Sequence, residues 1–229
     1  MILTLIGRHN EAGDAASFIF RADEPGFTWK AGQFLHYTLP QANPDGRGIE
    51  RWFTIASAPF EGQVMLTTRL VEERSTFKAT LDVLAVGATI EADGLEGDFV
   101  VEDPKAKFVF IAGGIGITPY RAILLDLDRS SAAIDATLLY ANRDNNIVFK
   151  DDLETLAAKH KDFRVNYYIG PERIDEAAIR RAVPDLAAPI FYVSGPEPMV
   201  EAFERMMRDM GIPDARLKRD YFPGYHWPL

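Results

Sequence analysis

Gly113, Gly114 and Gly116 break an apolar run that begins at Phe108, and Thr118 and Pro119 restart the chain as a helix. Strand, glycine turn and helix N-terminus in this order aim backbone N–H groups and the positive end of a helix dipole at one point, which suits a pyrophosphate. Glycine there lets backbone approach phosphate with no Cβ between them. Thr118 reads as the N-cap and Pro119 as the first helical residue. The spacing is neither GxGxxG nor GxxxxGK, so the same glycines also suit a turn tightened for packing alone.

A second group is Arg51-Trp52-Phe53-Thr54. Strand alternation puts Arg51 and Phe53 on one face and Trp52 and Thr54 on the other. Guanidinium, ring and hydroxyl together suit a phosphate-bearing aromatic ligand: charge for the phosphate, a face for stacking, a donor for a heteroatom. They equally suit a barrel strand with a surface Arg and core aromatics. Ser75 and Thr76 open a helix and offer a further anion site or a simple cap. Asn142 and Arg143 follow an apolar strand, where an Arg can clamp a phosphate or lie solvated in a loop. Ser194-Gly195-Pro196 ends another strand, and Met199 lies in the helix it opens. Asp126, Asp128, Asp151, Asp152 and Glu154 read as solvated helix faces, and His9, His36, His160 and His226 have no metal-ligand spacing, so no metal site is expected.

The elements that must position these residues fall into two halves. Residues 2–8, 16–22, 33–39, 51–57 and 63–71 read as short strands punctuated by turn residues, a pattern that predicts a small antiparallel β-barrel. One amphipathic helix interrupts it, with Phe77, Leu81 and Leu84 on one face and Ser75 as N-cap. After Pro104, strands at 108–112, 136–141, 163–169, 190–194 and 215–221 alternate with helices at 119–127, 148–159, 175–182 and 197–210. Such alternation predicts an α/β doubly wound parallel sheet that binds ligands at the carboxyl ends of its strands. The expected division is 1–103 and 104–229.

Composition narrows the function classes. A chain of 229 residues with 47% hydrophobic content can fill two small cores. The net charge of −9 argues against nucleic acid or anionic membrane as main partners. Zero cysteines exclude disulfides, thiolate catalysis and a cysteine-ligated iron–sulfur cluster. No apolar run reaches a membrane span and the N-terminus lacks a signal-peptide layout, which points to the cytoplasm.

In their order along the chain, Arg51-x-aromatic-Thr54, the helix start at Ser75, Gly94-Leu-Glu-Gly-Asp-Phe99, Gly113-Gly-Ile-Gly-Ile-Thr-Pro119, Ser194-Gly-Pro-x-x-Met199 and Asp220-Tyr-Phe222 resemble the ferredoxin–NADP reductase superfamily over nearly the whole chain. The lack of cysteine matches its single-chain flavin reductases without an iron–sulfur domain. The resemblance implies FAD in the barrel domain and NAD(P)H in the α/β domain. It implies that Arg51 and Ser75, with Thr76 and Arg69 nearby, bind FAD phosphate, that Phe53 and Trp52 lie at the flavin, and that Thr54 hydrogen-bonds near flavin N5. It implies that Gly113, Gly114, Gly116 and Thr118 cradle the NAD(P)H pyrophosphate and that Asn142 and Arg143 lie near the adenosine ribose. Gly195, Pro196 and Met199 would border the nicotinamide, with Ser194 and Asp220 beside it. Phe222 would shield the flavin face, and Tyr225, His226 and Trp227 could fold over FAD or equally pack on the surface.

The chain departs from the family pattern in three places: Phe53 replaces the usual Tyr, Leu95 a common Pro, and Ser194 a frequent Cys. The activity implied is hydride transfer from NAD(P)H to flavin, with electrons passed to a ferredoxin, a flavodoxin, a monooxygenase component, free flavin or ferric iron. Arg143 leans the nucleotide towards NADPH, although it could simply lie over adenine. A non-catalytic flavin- or nucleotide-binding subunit of a larger complex is the competing reading. A basic docking patch for an acidic partner could come from Arg69, Arg74, Lys105 and Lys107.

Overall fold

Turn residues and alternating apolar positions build the first sheet. In the computed structural model, which describes residues 1–130 and 133–222, its strands are β1 (Ile2–Asn10), β2 (Ala15–Ala22), β3 (Phe34–Thr38), β4 (Glu50–Thr54), β5 (Val64–Arg69) and β6 (Thr89–Glu96). All pairings are antiparallel, in the order β4-β3-β6-β1-β2-β5. The ladder is open between β4 and β5, but just beyond β4 the Ala56 N–H donates to Met65 O at 2.8 Å and draws the two edges together. The predicted barrel is thus a strongly curved half-barrel. Its core holds Leu3, Leu5, Phe18, Phe20, Leu35, Tyr37 and Leu66. Helix α1 (Thr76–Asp82) seals one end with Phe77 and Leu81, one turn apart and fully buried, while Leu84 packs at the margin. Ser75 is its N-cap, as expected, accepting a hydrogen bond from Lys78 N at 3.4 Å.

β6 is the strand that the sequence reading misses. Ile90 and Ala92 point inward, while Thr89, Glu91 and Asp93 alternate with them towards solvent. The period is right for a half-buried strand, but acids and Gly94 dilute its β signal.

The second sheet is parallel, made of β7 (Phe108–Gly113), β8 (Ala136–Asn142), β9 (Phe163–Ile169), β10 (Ile190–Pro196) and β11 (Leu217–Phe222) in the order β11-β10-β7-β8-β9. Every residue of β7 is buried, as befits a central strand covered on both faces. The helices are α2 (Thr118–Arg129), α3 (Lys150–Lys159), α4 (Glu176–Ala182) and α5 (Glu197–Asp209). α5 buries Met199, Val200, Phe203 and Met207 on one stripe, each worth roughly 1.5–3 kcal/mol of apolar burial. The chain runs β7-β8-β9 outward in one direction, then returns to place β10 and β11 on the other side of β7. The strand order therefore reverses between β7 and β10, and a crevice opens at their carboxyl ends.

The change from one sheet to the other falls between Glu96 and Phe108. A continuous core crosses the junction: Ile19 and Met65 of the half-barrel pack in one cluster with Phe99, Tyr120 and Tyr192. Tyr192 donates its hydroxyl to Val100 O at 2.9 Å. Arg121 of α2 reaches across to Ala56 O at 3.1 Å and to Glu61 at 2.9 Å, while its Nε meets Asp152 at 2.7 Å. Among the described residues no helix is long and apolar enough to cross a membrane.

Candidate active site

A cleft of about 820 Å³ opens between the two sheets. One wall is β4, presenting Arg51, Trp52, Phe53 and Thr54. The opposite wall comes from Ile115 and Thr118 after β7, Glu197 and Glu201 of α5, and Asp220, Tyr221 and Phe222 of β11. Seven of the residues singled out from sequence thus meet in one space, across 172 positions from Arg51 to Phe222.

Arg51 is the main charge on the β4 wall and is only 7% exposed. Its Nη1 donates to the carbonyls of Arg47, Gly48 and Glu50 at 2.8, 3.0 and 2.7 Å, and its Nη2 meets Asp45 at 3.2 Å. Its Nε is buried with no hydrogen-bond partner. Burial, and next the neighbouring Arg47 charge, draw its guanidinium below the usual arginine range. A buried cation with an unsatisfied donor at the edge of a cleft fits an anionic ligand group. Phe53 and Arg51 both lie against Phe77, at 5.7 Å ring to ring and 5.5 Å guanidinium to ring, so they share a face as alternation predicts. Trp52 points the other way, half exposed, and stacks on His36 with centroids 4.1 Å apart.

Across the cleft, residues 114–117 form a single 3-10 turn that runs straight into α2. This corrects the expected capping. Thr118 has helical dihedrals, and its hydroxyl donates back to Ile115 O at 3.2 Å, so Thr118 is the first residue of α2 and not its N-cap. The first N–H groups of such a turn have no partner within it and point out of its start.

The glycines serve different ends. A Cβ on Gly113 would sit 2.2 Å from Met199 Sδ, and one on Gly116 would sit 2.3 Å from Ser194 O. These two are required by close contact with α5 and β10, so packing accounts for them. Gly114 has φ +52°, the left-handed region, and its Cβ would meet nothing nearer than Arg69 Nη2 at 3.8 Å. Met199 is accordingly fully buried beneath Gly113, supporting the turn rather than bordering the cleft.

Ser194 and Asp220 stand side by side in the β10–β11 register, and Ser194 Oγ donates to Asp220 Oδ2 at 3.2 Å. Desolvation pushes the Asp220 carboxyl up to about 7, with the Ser194 hydrogen bond opposing and the Asp98 charge adding. Because the folded value lies above the free value of 3.8, the contribution of the Asp220 carboxyl to stability is full below pH 3.8 and is lost as pH rises through 7. Asp220→Asn keeps an acceptor for Ser194 and removes that loss. Its melting temperature should match wild type near pH 4 and exceed it by a few degrees at pH 8; a difference that does not vary with pH sinks this assignment.

The remaining candidates do not line this cleft. Asn142 ends β8 buried, with both amide atoms unpartnered. Arg143 follows it with a side chain 77% exposed, 3.8 Å from Asp144. Gly195 and Pro196 flank the switch point, Pro196 opposite Phe222 in register. Arg69 holds Asp14 at 2.5 Å beside Gly114, and the Thr76 N–H donates to Asp45 Oδ2 at 2.9 Å. Of the four basic residues expected to form a patch, Arg69, Arg74 and Lys107 each face a carboxylate, Asp14, Asp82 and Asp135, while Lys105 is exposed. Tyr225, His226 and Trp227 lie outside the described residues. Sequence reasoning missed Thr67, Lys78, Glu197 and Glu201 on the cleft wall. Lys78 sits three residues past Ser75, on the first turn of α1, a spacing that could have flagged it. Among the described residues no group of three or more acids and histidines is placed to hold a metal.

Residues 110–205 match the family model for the oxidoreductase NAD-binding domain. Ferredoxin–NADP reductase B of Sorangium cellulosum is 32% identical over 216 residues, spanning 84% of this chain and 85% of that protein. This chain belongs to the ferredoxin–NADP reductase family. The glycine betaine monooxygenase reductase subunit of Chromohalobacter salexigens is 27% identical over 94% of this chain and 64% of its own. The fold agrees with that of the cytochrome P450 reductase GcoB of Amycolatopsis, at TM-score 0.82 and 24% identity over 97% of this chain and 70% of that one. The chain spans 56–64% of the length of several oxygenase-component and flavohemoprotein relatives that it matches.

Proposed function

We propose that this chain is an NAD(P)H-dependent flavin oxidoreductase that uses the interdomain cleft for hydride transfer, with residues 1–103 as the FAD unit and 104–229 as the NAD(P) unit. The observation that carries this reading is the pairing of two anion-suited features across one cleft: Arg51 with its unpartnered Nε on β4, and the 3-10 turn at the switch point opposite. Bound flavin would supply the chemistry, accepting hydride from the nucleotide and passing electrons to a separate acceptor. The protein's share is position and electrostatics. Arg51 and the N–H groups at Ser75 and Thr76 hold flavin phosphate, Phe53 offers a ring face, and Thr54 offers a hydroxyl. The turn 114–117 holds the dinucleotide pyrophosphate, and the unpaired amide of Asn142 serves its ribose hydroxyls. Ser194 and Asp220 hold a proton at the cleft floor. Phe222, last residue of β11, covers the flavin site from the second sheet.

For the nucleotide we favour NADPH, because the exposed Arg143 meets Asp144 only at the edge of ion-pair range and keeps charge for a 2′-phosphate. For the acceptor we favour an oxygenase component or its ferredoxin, in line with relatives named as reductase components of monooxygenases and as a dioxygenase subunit. Purified protein reconstituted with FAD should be yellow and bleach under anaerobic NAD(P)H. A protein that gains no flavin absorbance removes the idea. In the same assay Arg143→Ala should raise KM for NADPH about tenfold while leaving NADH unchanged, the size of one charge-assisted contact. Equal loss with both nucleotides would assign Arg143 to adenine instead.

A further inference from the structure

The donors that face a flavin phosphate at Arg51 are already in use by a carboxylate of the chain itself. Asp45 lies on the loop between β3 and β4, with its side chain 28% exposed. Its Oδ1 accepts from Arg51 Nη2 at 3.2 Å and from the Arg47 N–H at 2.9 Å. Its Oδ2 accepts from the Thr76 N–H at 2.9 Å, and its own N–H donates to Thr76 Oγ1 at 3.0 Å. One guanidinium and two backbone N–H groups around two oxygens are the contacts that a phosphate's non-bridging oxygens make. Those backbone hydrogen bonds, first from Arg47 and then from Thr76, hold the carboxyl of Asp45 below its ordinary range, so it is charged at neutral pH.

The turn that carries Asp45 is open to water. Gly46 and Arg47 beside it are exposed, and Gly48 stands at φ +69° with open space around its missing Cβ. The Gly48 N–H donates to Asp45 O at 2.9 Å, closing a tight turn from which the Asp45 side chain can rotate towards water while the backbone stays in place. A phosphate arriving at Arg51 meets a like charge on the same donors, and one of the two anions has to leave. Arg51 keeps its three carbonyl contacts through Nη1 whichever anion it holds, so the exchange concerns Nη2 and the unpartnered Nε.

We propose that Asp45 is an internal competitor for the flavin phosphate, which makes flavin nucleotide an exchangeable ligand of this chain. The proposal rests on the flavin reading above. It assigns Asp45 a specificity role: it weakens every phosphate-bearing flavin and leaves the phosphate-free ring system untouched. No covalent or redox step is involved; a carboxylate leaves Arg51 for water and a phosphate takes its place.

The test is flavin-quenching titration of the flavin-free chain with FAD, FMN and riboflavin, comparing wild type, Asp45→Asn and Asp45→Ala. The asparagine retains an acceptor for the Thr76 and Arg47 N–H groups and loses the charge; the alanine loses both. Far-UV circular dichroism checks that each variant folds. Both variants should bind FAD and FMN about tenfold more tightly than wild type, the scale of one charge-assisted contact released. Riboflavin affinity should not change. Unchanged FAD and FMN affinity in both variants overturns the proposal, and so does an equal shift for riboflavin, which would mark a general effect on the fold. Binding of none of the three flavins to wild type or variants sinks the flavin reading itself, and this proposal with it.

Discussion

Replacing Gly116 with alanine is expected to lower the melting temperature by about 5–10 °C and to abolish pyridine-nucleotide binding. The added Cβ would lie 2.3 Å from Ser194 O and 2.7 Å from Gly195 Cα, both backbone atoms of β10. Neither can give way as a side-chain tip would. Relief requires parting the turn from β10, beside the ladder that pairs Ala112 with Ser194. Overpacking of this kind costs roughly 1–3 kcal/mol, and a chain of this size loses about 2–4 °C per kcal/mol. The shift also pulls the 3-10 turn out of register, so its N–H groups no longer converge. Gly114→Ala is the internal control. Its Cβ meets only Arg69 at 3.8 Å, and its cost is the left-handed backbone, about 1–2 kcal/mol. Thermal melts of the two variants should rank Gly116→Ala as the more damaging; the reverse order would show that backbone conformation, not the β10 contact, governs the turn.

That ranking was not legible in the sequence, where all three glycines read alike, as a phosphate cradle or as a turn tightened for packing. The apolar run of β7 and the alternation of strands and helices placed the turn at the right end of the right strand. Nothing local to residues 113–116 could reveal that Met199 and Ser194, about 80 positions away, press on two of them. The same limit applies elsewhere. Ser75 as N-cap was readable because a cap is a local device, whereas Thr118 looked like a cap and is not, because the 3-10 turn ahead of it already supplies the first helical turn. β6 was hidden because its outward half is acidic and only Ile90 and Ala92 mark its inward face. Arg121 carried no signal in the sequence, yet it ties Glu61 and Ala56 across the domain junction, 60 and 65 positions away, and Asp152 of α3 within its own half. Of the cleft residues, Arg51, Phe53 and Thr54 stood out by type, whereas Asp220 and Phe222 came only from the family resemblance. What sequence could not supply was the partner each already has, and Asp45 at Arg51 is the clearest case.

Arg51→Gln is expected to weaken FAD binding by two to three orders of magnitude while the protein stays folded. The guanidinium is 93% covered and carries full charge to the cleft edge, so its contacts with phosphate are far less screened than those of a surface pair. Charge-assisted hydrogen bonds contribute roughly 1.5–3 kcal/mol each, and a forked pair lost together approaches 3–4 kcal/mol, or a hundredfold to a thousandfold in Kd. Folding suffers less. The variant gives up the stack over Phe77 at 5.5 Å and the contacts to three carbonyls on an exposed loop, where water can replace the lost donors. Asp45 keeps its two backbone N–H partners and is not stranded. A melting temperature within a few degrees of wild type is therefore the expected companion result. Arg51→Lys separates charge from geometry: it restores the cation without the planar fork and should recover about one order of magnitude. Equal FAD affinity in wild type and Arg51→Gln, measured by titration of the flavin-free protein, would exclude Arg51 from the phosphate site. Combining Asp45→Asn with Arg51→Gln carries the argument one step further. If the carboxylate acts by occupying this guanidinium, its removal should tighten FAD binding in the wild-type background and change nothing once Arg51 is gone.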